Sequence, residues 1–182
     1  MGGIKYVDDD LYSVRVLALM RIPPLILGLV LGFVLSFVTS GFKELLEKDV
    51  QIVFFIPFVV YMADAVGTQT QTIYVRDLIR GKARFLTYLL KETGLGLILG
   101  SLFGMVSFVI VSLWLKSFSL ALAVGVSTLA AVGSAPLVAL IVTELLELEH
   151  KDPAIGAGPI ATVVQDSISV VVYGVIASAL LL

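Results

Sequence analysis

The sequence contains no cysteine, one histidine and few charged side chains. With no cysteine among 182 residues, disulfides, thiol catalysis and thiolate metal sites are excluded. The single histidine, His150, lies in a charged loop, so a Zn²⁺ or Cu⁺ pathway is not expected. Charged residues make up 14% of the chain, against about 25% in a typical soluble domain. The net charge of −2 gives no indication of nucleic-acid binding.

Hydrophobic residues are abundant instead, at 59% of the chain. Five segments with one charged residue or none are long enough to cross a bilayer, which takes about 20 residues: 22–42, 50–75, 93–115, 117–143 and 153–182. Helices are expected, because barrel strands would be shorter and alternately polar. The sequence therefore predicts an all-α integral membrane protein with five transmembrane helices. Residues 22–182 form this domain, and residues 1–21 form a short amphipathic lead-in on the cytoplasmic side. The first span is expected to begin near Pro23 and Pro24.

The distribution of basic residues predicts the orientation of the five spans. Nine of the 12 Lys and Arg residues fall on one side, namely Lys5, Arg15, Arg21, Arg76, Arg80, Lys82, Arg84, Lys91 and Lys151; the other side has Lys43, Lys48 and Lys116. The positive-inside rule then places the N-terminus in the cytoplasm and the C-terminus outside. We expect a multi-pass protein of the cell membrane.

Two aspartates interrupt the apolar spans. Asp166 is the only charged residue between positions 153 and 182, and Asp64 is the only one between 50 and 75. A carboxylate at the bilayer centre costs at least about 2.5–3.5 kcal/mol, so such residues are first interpreted as functional. At about 1.5 Å per residue, Asp166 lies about 20 Å from the start of its helix, and Asp64 lies about 18 Å from the end of its own helix. Both of these helix ends are predicted to be cytoplasmic. Both aspartates are therefore expected at one depth, where they share a site if the second and fifth spans are neighbours.

Polar side chains accompany both aspartates on one helical face. The face of the second span carries Asp64, Thr68, Gln71 and Thr72, and that of the fifth carries Thr162, Asp166, Ser169 and Tyr173. Such faces predict either a hydrogen-bonded helix seam or a water-lined cavity. Two close carboxylates repel unless one is protonated or a cation binds. Carboxylate, hydroxyl and carbonyl oxygens suit Mg²⁺, Ca²⁺ or Mn²⁺.

At these residues the chain resembles the membrane domain of the MgtE magnesium transporter family. The matching positions are Pro57, Gly67, Gln69 and Arg76; Lys91, Glu92, Gly94, Gly96 and Gly100; and Asp152, Pro153, Ala154, Pro159, Thr162, Asp166 and Tyr173. The chain departs from the family pattern at Asp64, Ala65, Gly158 and Ser169. These departures bear on ion selectivity and on a direct part for Asp64.

The resemblance implies a homodimer whose pore is built from the second and fifth spans. It implies a hydrated Mg²⁺ facing Asp166 of both subunits, with the backbone near Thr162 contacting the water shell. We therefore predict a metal site of Asp166, Asp64 and Thr162. The predicted pore-lining residues are Gly67, Thr68, Gln69, Gly158, Ser169 and Tyr173. Mg²⁺ is the expected transported ion, and Ca²⁺ or Mn²⁺ is left open.

Three further expectations concern regulation and alternatives. Members of the family usually carry cytoplasmic CBS domains that sense Mg²⁺, whereas 21 residues precede the first span here. The chain is then an excised domain or a minimal homologue without that sensor, and a membrane subunit that works with a separate cytoplasmic regulator is one alternative. The other alternative is an intramembrane aspartyl protease with Asp64 and Asp166 as its dyad. It is disfavoured, because Asp166 follows Val-Val-Gln rather than Gly-x-Gly. We expect a transporter and no enzyme.

Overall fold

The computed structural model describes residues 11–148 and 153–182, which form six helices. The helices are α1 (Val14–Ser40), α2 (Lys43–Lys48), α3 (Gln51–Ile79), α4 (Phe85–Leu115), α5 (Phe118–Leu148) and α6 (Pro153–Leu181). All except α2 are long and apolar enough, by length and composition, to cross a membrane. The five-span, all-helical prediction is confirmed over the described residues. The predicted first to fifth spans correspond to α1, α3, α4, α5 and α6.

The first span does not begin at its proline pair. Helix α1 begins at Val14, and Pro23 and Pro24 lie inside it. A proline removes its own N–H donor from the helix but leaves the flanking hydrogen bonds available, and the apolar run before the pair continues the same helix. The expected start near Pro23 is therefore wrong. The predicted lead-in of residues 1–21 is part of α1 from Val14 onward, and positions 1–10 lie outside the described residues.

Helix α5 is the centre of the bundle. It packs against α3, α4 and α6, while α1 lies on α6. The α4–α5 contact is made through glycines whose backbones touch. A Cβ added to Gly100 would lie 2.6 Å from the Leu129 carbonyl oxygen, and one added to Gly104 would lie 2.7 Å from that of Gly125. This close approach is typical of small-residue packing between membrane helices.

Helices α3 and α6 are neighbours along their length. Near one end, the Tyr173 hydroxyl on α6 donates a 2.8 Å hydrogen bond to the carbonyl oxygen of Ile52 in α3. The Lys48 ammonium at the end of α2 donates to the Leu181 carbonyl oxygen at 2.7 Å. These bonds hold the end of α6 beside α2 and the start of α3.

The connection between α3 and α4 is short. Helix α4 begins at Phe85, which leaves only residues 80–84 between the two helices. Gly81 has a φ of +65°, a conformation that glycine adopts without strain. Below the turn, the Thr70 hydroxyl donates to the buried carboxylate of Glu92 at 2.8 Å. The hydroxyl of Tyr88 donates to Asp77 at 2.6 Å. These polar bonds join α3 to α4 beside the region where α3 meets α6.

Candidate functional site

A small pocket with a cavity volume of about 10 Å³, room for about one water molecule, lies where α3, α5 and α6 meet and is partly open to the outside of the chain. Alanine and valine side chains of α5 form its back wall. Its other lining residues are Asp64, Gly67, Thr68 and Gln71 from α3, and Ala161, Thr162 and Gln165 from α6. We call this the α3–α6 pocket. It combines one carboxylate, two hydroxyls and two amides.

Small residues bring the three helices close enough to enclose this pocket. Gly67 of α3 is buried against α5, and a Cβ added there would lie 3.5 Å from the Ala135 carbonyl oxygen. The next residue of α5 is Pro136, which has no N–H to donate to the carbonyl oxygen four residues earlier. The interruption in the α5 hydrogen-bond ladder therefore lies beside the pocket. Proline within a membrane helix is tolerated where neighbouring groups satisfy the freed backbone.

Asp166 lies beside the pocket and close enough to Asp64 for the two carboxyl groups to interact electrostatically. One carboxyl oxygen of Asp166, Oδ1, is buried and has no hydrogen-bond partner among the described residues. Burying a carboxyl oxygen without a donor is costly, so this atom is suited to meet a cation or its water. Within residues 11–148 and 153–182, no three acidic, histidine or cysteine side chains are grouped as a metal site.

The structure brings together four of the predicted site residues in the pocket lining, namely Asp64, Gly67, Thr68 and Thr162. Gly158 lies one turn away on α6, where an added Cβ would be 4.0 Å from the amide nitrogen of Gln71. Gln69 is exposed on another face of α3 and does not line the pocket.

Ser169 and Tyr173, also predicted to line a pore, are buried within the chain. Ser169 is 0% exposed and Tyr173 is 2% exposed. Both share the helical face of Asp166, but the start of α3 covers that face at the level of Tyr173, whose hydroxyl is bonded to Ile52. The part of α6 that lines the pocket is therefore confined to Ala161, Thr162 and Gln165.

Gln165 was not among the predicted site residues, although it lines the pocket. The sequence interpretation followed the face of Asp166, and the preceding residue is rotated about 100° away from that face. An amide in an otherwise apolar membrane segment is the signal that could have identified it. Gln71 was placed on the Asp64 face but was not assigned to the site.

The chain matches the family model of MgtE, described as a divalent cation transporter, over residues 56–176. It is similar to the magnesium transporter MgtE of Enterococcus faecalis, with 29% identity over 97% of the chain and 40% of the relative. The magnesium transporter MgtE of Bacillus subtilis is 27% identical over 90% of the chain and 37% of that protein. For the magnesium transporter MgtE of Thermus thermophilus, the identity is 29% over 98% of the chain and 41% of that protein. The chain thus spans about two fifths of the length of these relatives.

Proposed function

Because the chain belongs to the MgtE family of divalent cation transporters, we propose that it moves hydrated Mg²⁺ across the membrane along a path that runs past the opening of the α3–α6 pocket. One observation carries the proposal. Asp64 and Asp166 are each the only charge in a predicted span, and they lie together beside a pocket lined by hydroxyls and amides. Membrane carboxylates that face a polar cavity are characteristic of ion pathways.

The chemistry of the pocket fits an ion that keeps its water. Mg²⁺ gives up water reluctantly and is bound through one or two carboxylates with several waters retained. Asp64 and Asp166 attract the dication, while Thr68 and Thr162 form hydrogen bonds with its water shell. Ca²⁺ and Mn²⁺ prefer the same oxygen ligands and are the ions expected to compete with Mg²⁺.

The partly open pocket favours a site completed by a second copy of the chain. Asp166 is half-buried beside the pocket opening, and α6 carries both it and Thr162. In a homodimer, two such α6 helices would face one pore and offer two Asp166 carboxylates to one hydrated ion. Because the chain has no cysteine, Asp166→Cys supplies a single thiol on a cysteine-free background. A short bifunctional thiol reagent should link two copies through it, whereas Ser101→Cys on the exposed face of α4 should not link.

In this proposal, Mg²⁺ moves down its concentration gradient and is driven by the membrane potential. A potential of 100 mV changes the free energy of moving one elementary charge across the membrane by about 2.3 kcal/mol, and the change is twice as large for a dication. Five crossings put the two termini on opposite sides, and the positive-inside rule favours a cytoplasmic N-terminus. The aspartyl protease alternative is not favoured, since the relatives are named as magnesium transporters.

The test is Mg²⁺ uptake into liposomes that contain only the purified chain, with and without an imposed inside-negative potential. Uptake that rises with the potential supports a conducting pore in the chain itself. Uptake that appears only after a cytoplasmic fraction is added would favour a membrane subunit with a separate regulator. Correctly folded protein that transports no divalent cation under either condition would contradict the proposal.

A further inference from the structure

Gln165 is an amide buried in the middle of α6, next to Asp166 and in the wall of the α3–α6 pocket. Its side chain is 3% exposed. A buried amide has two donors and one acceptor oxygen, and each needs a partner in an apolar environment. The partners of this side chain therefore determine which of its atoms is available to the pocket.

The two partners of Gln165 determine the orientation of its amide group. Its nitrogen Nε2 donates to the Ala131 carbonyl oxygen at 3.2 Å and to the Ser169 hydroxyl oxygen at 3.2 Å. A carbonyl oxygen can only accept. The Ser169 hydroxyl already donates its own hydrogen to the backbone carbonyl of Gln165 at 2.8 Å, so its oxygen is an acceptor here. The reversed amide would place its oxygen against two acceptors.

This orientation leaves the amide oxygen without a partner. Oε1 of Gln165 is buried and accepts no hydrogen bond from the described residues. The two bonds from Nε2 prevent the amide from rotating to find another donor. The polar groups that share the pocket with Gln165 include the Asp64 carboxylate and the Thr162 hydroxyl. A buried acceptor on a residue of the pocket wall, with the Asp64 carboxylate in the same wall, is suited to a water molecule as its donor.

We propose that Oε1 of Gln165 accepts a hydrogen bond from a water in the first hydration shell of a cation at the opening of the pocket, which makes Gln165 a specificity-determining residue. This inference rests on the proposed function for the presence of the cation. Because this oxygen is neutral, it distinguishes Mg²⁺ from Ca²⁺ by its distance from the water shell of the ion and not by charge. Mg²⁺ holds its oxygens at about 2.0–2.1 Å and Ca²⁺ at about 2.3–2.6 Å. The two hydrogen bonds donated by Nε2 fix the position of Oε1, so this acceptor fits a water shell of one radius.

The test compares Gln165→Met, which keeps the length of the side chain without its polar atoms, with Thr128→Val. Thr128 is a fully buried hydroxyl on α5 that bonds within its own helix and lies outside the pocket. Thermal stability of the purified full chain is measured without divalent ions and during titration with Mg²⁺ and with Ca²⁺. Both variants can lower the stability without ions, because each removes a buried polar group.

Only Gln165→Met should change ion binding. We expect its apparent Mg²⁺ affinity to fall about tenfold, the loss expected for one hydrogen bond from a strongly polarised donor. The Ca²⁺ affinity should fall by less, so the preference for Mg²⁺ over Ca²⁺ narrows. Thr128→Val should keep both affinities. In the Asp166→Asn background, Gln165→Met should have little further effect on Mg²⁺ affinity, because the two residues act on the same ion.

Equal Mg²⁺ and Ca²⁺ titrations for wild type and Gln165→Met would overturn the inference and make Gln165 a purely structural link between α5 and α6. If the wild type also takes up Mg²⁺ into liposomes, the proposed function stands and only the role of Gln165 fails. If Gln165→Met weakens Mg²⁺ binding in a chain that transports nothing, the role of Gln165 stands and the transport proposal fails. A wild type without any Mg²⁺-dependent stabilisation would overturn the inference as well, since no ion would then reach the oxygen.

Discussion

The α4–α5 contact and the α3–α6 pocket both depend on small residues that face α5, yet they differ in what they leave open. Between α4 and α5, a single Cβ added at Gly100 would lie 2.6 Å from a backbone oxygen. At Gly67, beside the pocket, the corresponding distance is 3.5 Å, and carboxylate, hydroxyl and amide groups lie nearby. Glycine spacing alone therefore indicates close helix packing. A site requires polar side chains that the packing leaves unpaired.

The largest effect should come from removing the carboxylate of Asp166. In Asp166→Ala, we expect Mg²⁺ uptake to fall at least a hundredfold, because the pocket loses charge where the dication must leave bulk water. The fold should persist, as Oδ1 of Asp166 has no protein partner among the described residues. Glu47→Gln is the matched control, since Glu47 is exposed and 3.5 Å from Lys43 on α2. Unchanged uptake in Asp166→Ala would remove the pocket from the ion path.

A substitution in the α4–α5 contact should lower the stability of the protein and leave its ion affinity unchanged. Gly100→Ala forces a methyl group against the Leu129 backbone, and we expect it to destabilise the protein by about 1–3 kcal/mol, as overpacking usually does. Gly94→Ala provides the control on the same helix, because no atom lies within 4 Å of its added Cβ. Thermal unfolding in detergent measures both variants. Equal stability of the two variants would mean that the glycine contact is looser than described.

A smaller change is expected from Asp64→Ala. The second carboxylate strengthens the attraction for the dication, and its loss should weaken the apparent Mg²⁺ affinity about tenfold while uptake continues at high Mg²⁺. Titration of uptake rate against Mg²⁺ concentration separates affinity from maximal rate. A titration curve identical to that of the wild type would leave Asp64 with a structural role only.

The smallest effect is predicted for Tyr173→Phe. This change removes the hydrogen bond to the Ile52 carbonyl and should cost about 1 kcal/mol of stability. Because Tyr173 is 2% exposed and lies away from the pocket, the ratio of Mg²⁺ to Ca²⁺ uptake should stay the same. An altered ratio would instead support the sequence-based prediction that Tyr173 lines the pore.

The helical spans were predictable from sequence because each depends on composition over many consecutive residues. The two aspartates were also identifiable, since a lone charge in an apolar segment is conspicuous. The continuation of α1 through Pro23 and Pro24 was missed, because a helix can tolerate a proline pair that its flanking residues support. The sequence signals at the ends of a helix predict its bounds less well than the composition of a whole span predicts that the span exists.

The role of Gln165 depends on contacts between helices that no local pattern contains. Its orientation is determined by Ala131, which is on a different helix and contributes only a backbone oxygen. The burial of Tyr173 has the same origin, since Ile52 approaches from α3. Periodicity assigns a residue to a helical face, whereas the neighbouring helices determine whether that face is open.

The most direct test of the central claim, that the cation passes the opening of the α3–α6 pocket, uses the absence of cysteine in the chain. Thr162→Cys places one thiol in the pocket wall, and Ser127→Cys places one at a fully buried position on α5 outside the pocket. A membrane-impermeant methanethiosulfonate reagent should modify Thr162→Cys, block Mg²⁺ uptake and react more slowly when Mg²⁺ is present; Ser127→Cys should not react. Modification of Thr162→Cys that is insensitive to Mg²⁺ and leaves uptake intact would contradict the account.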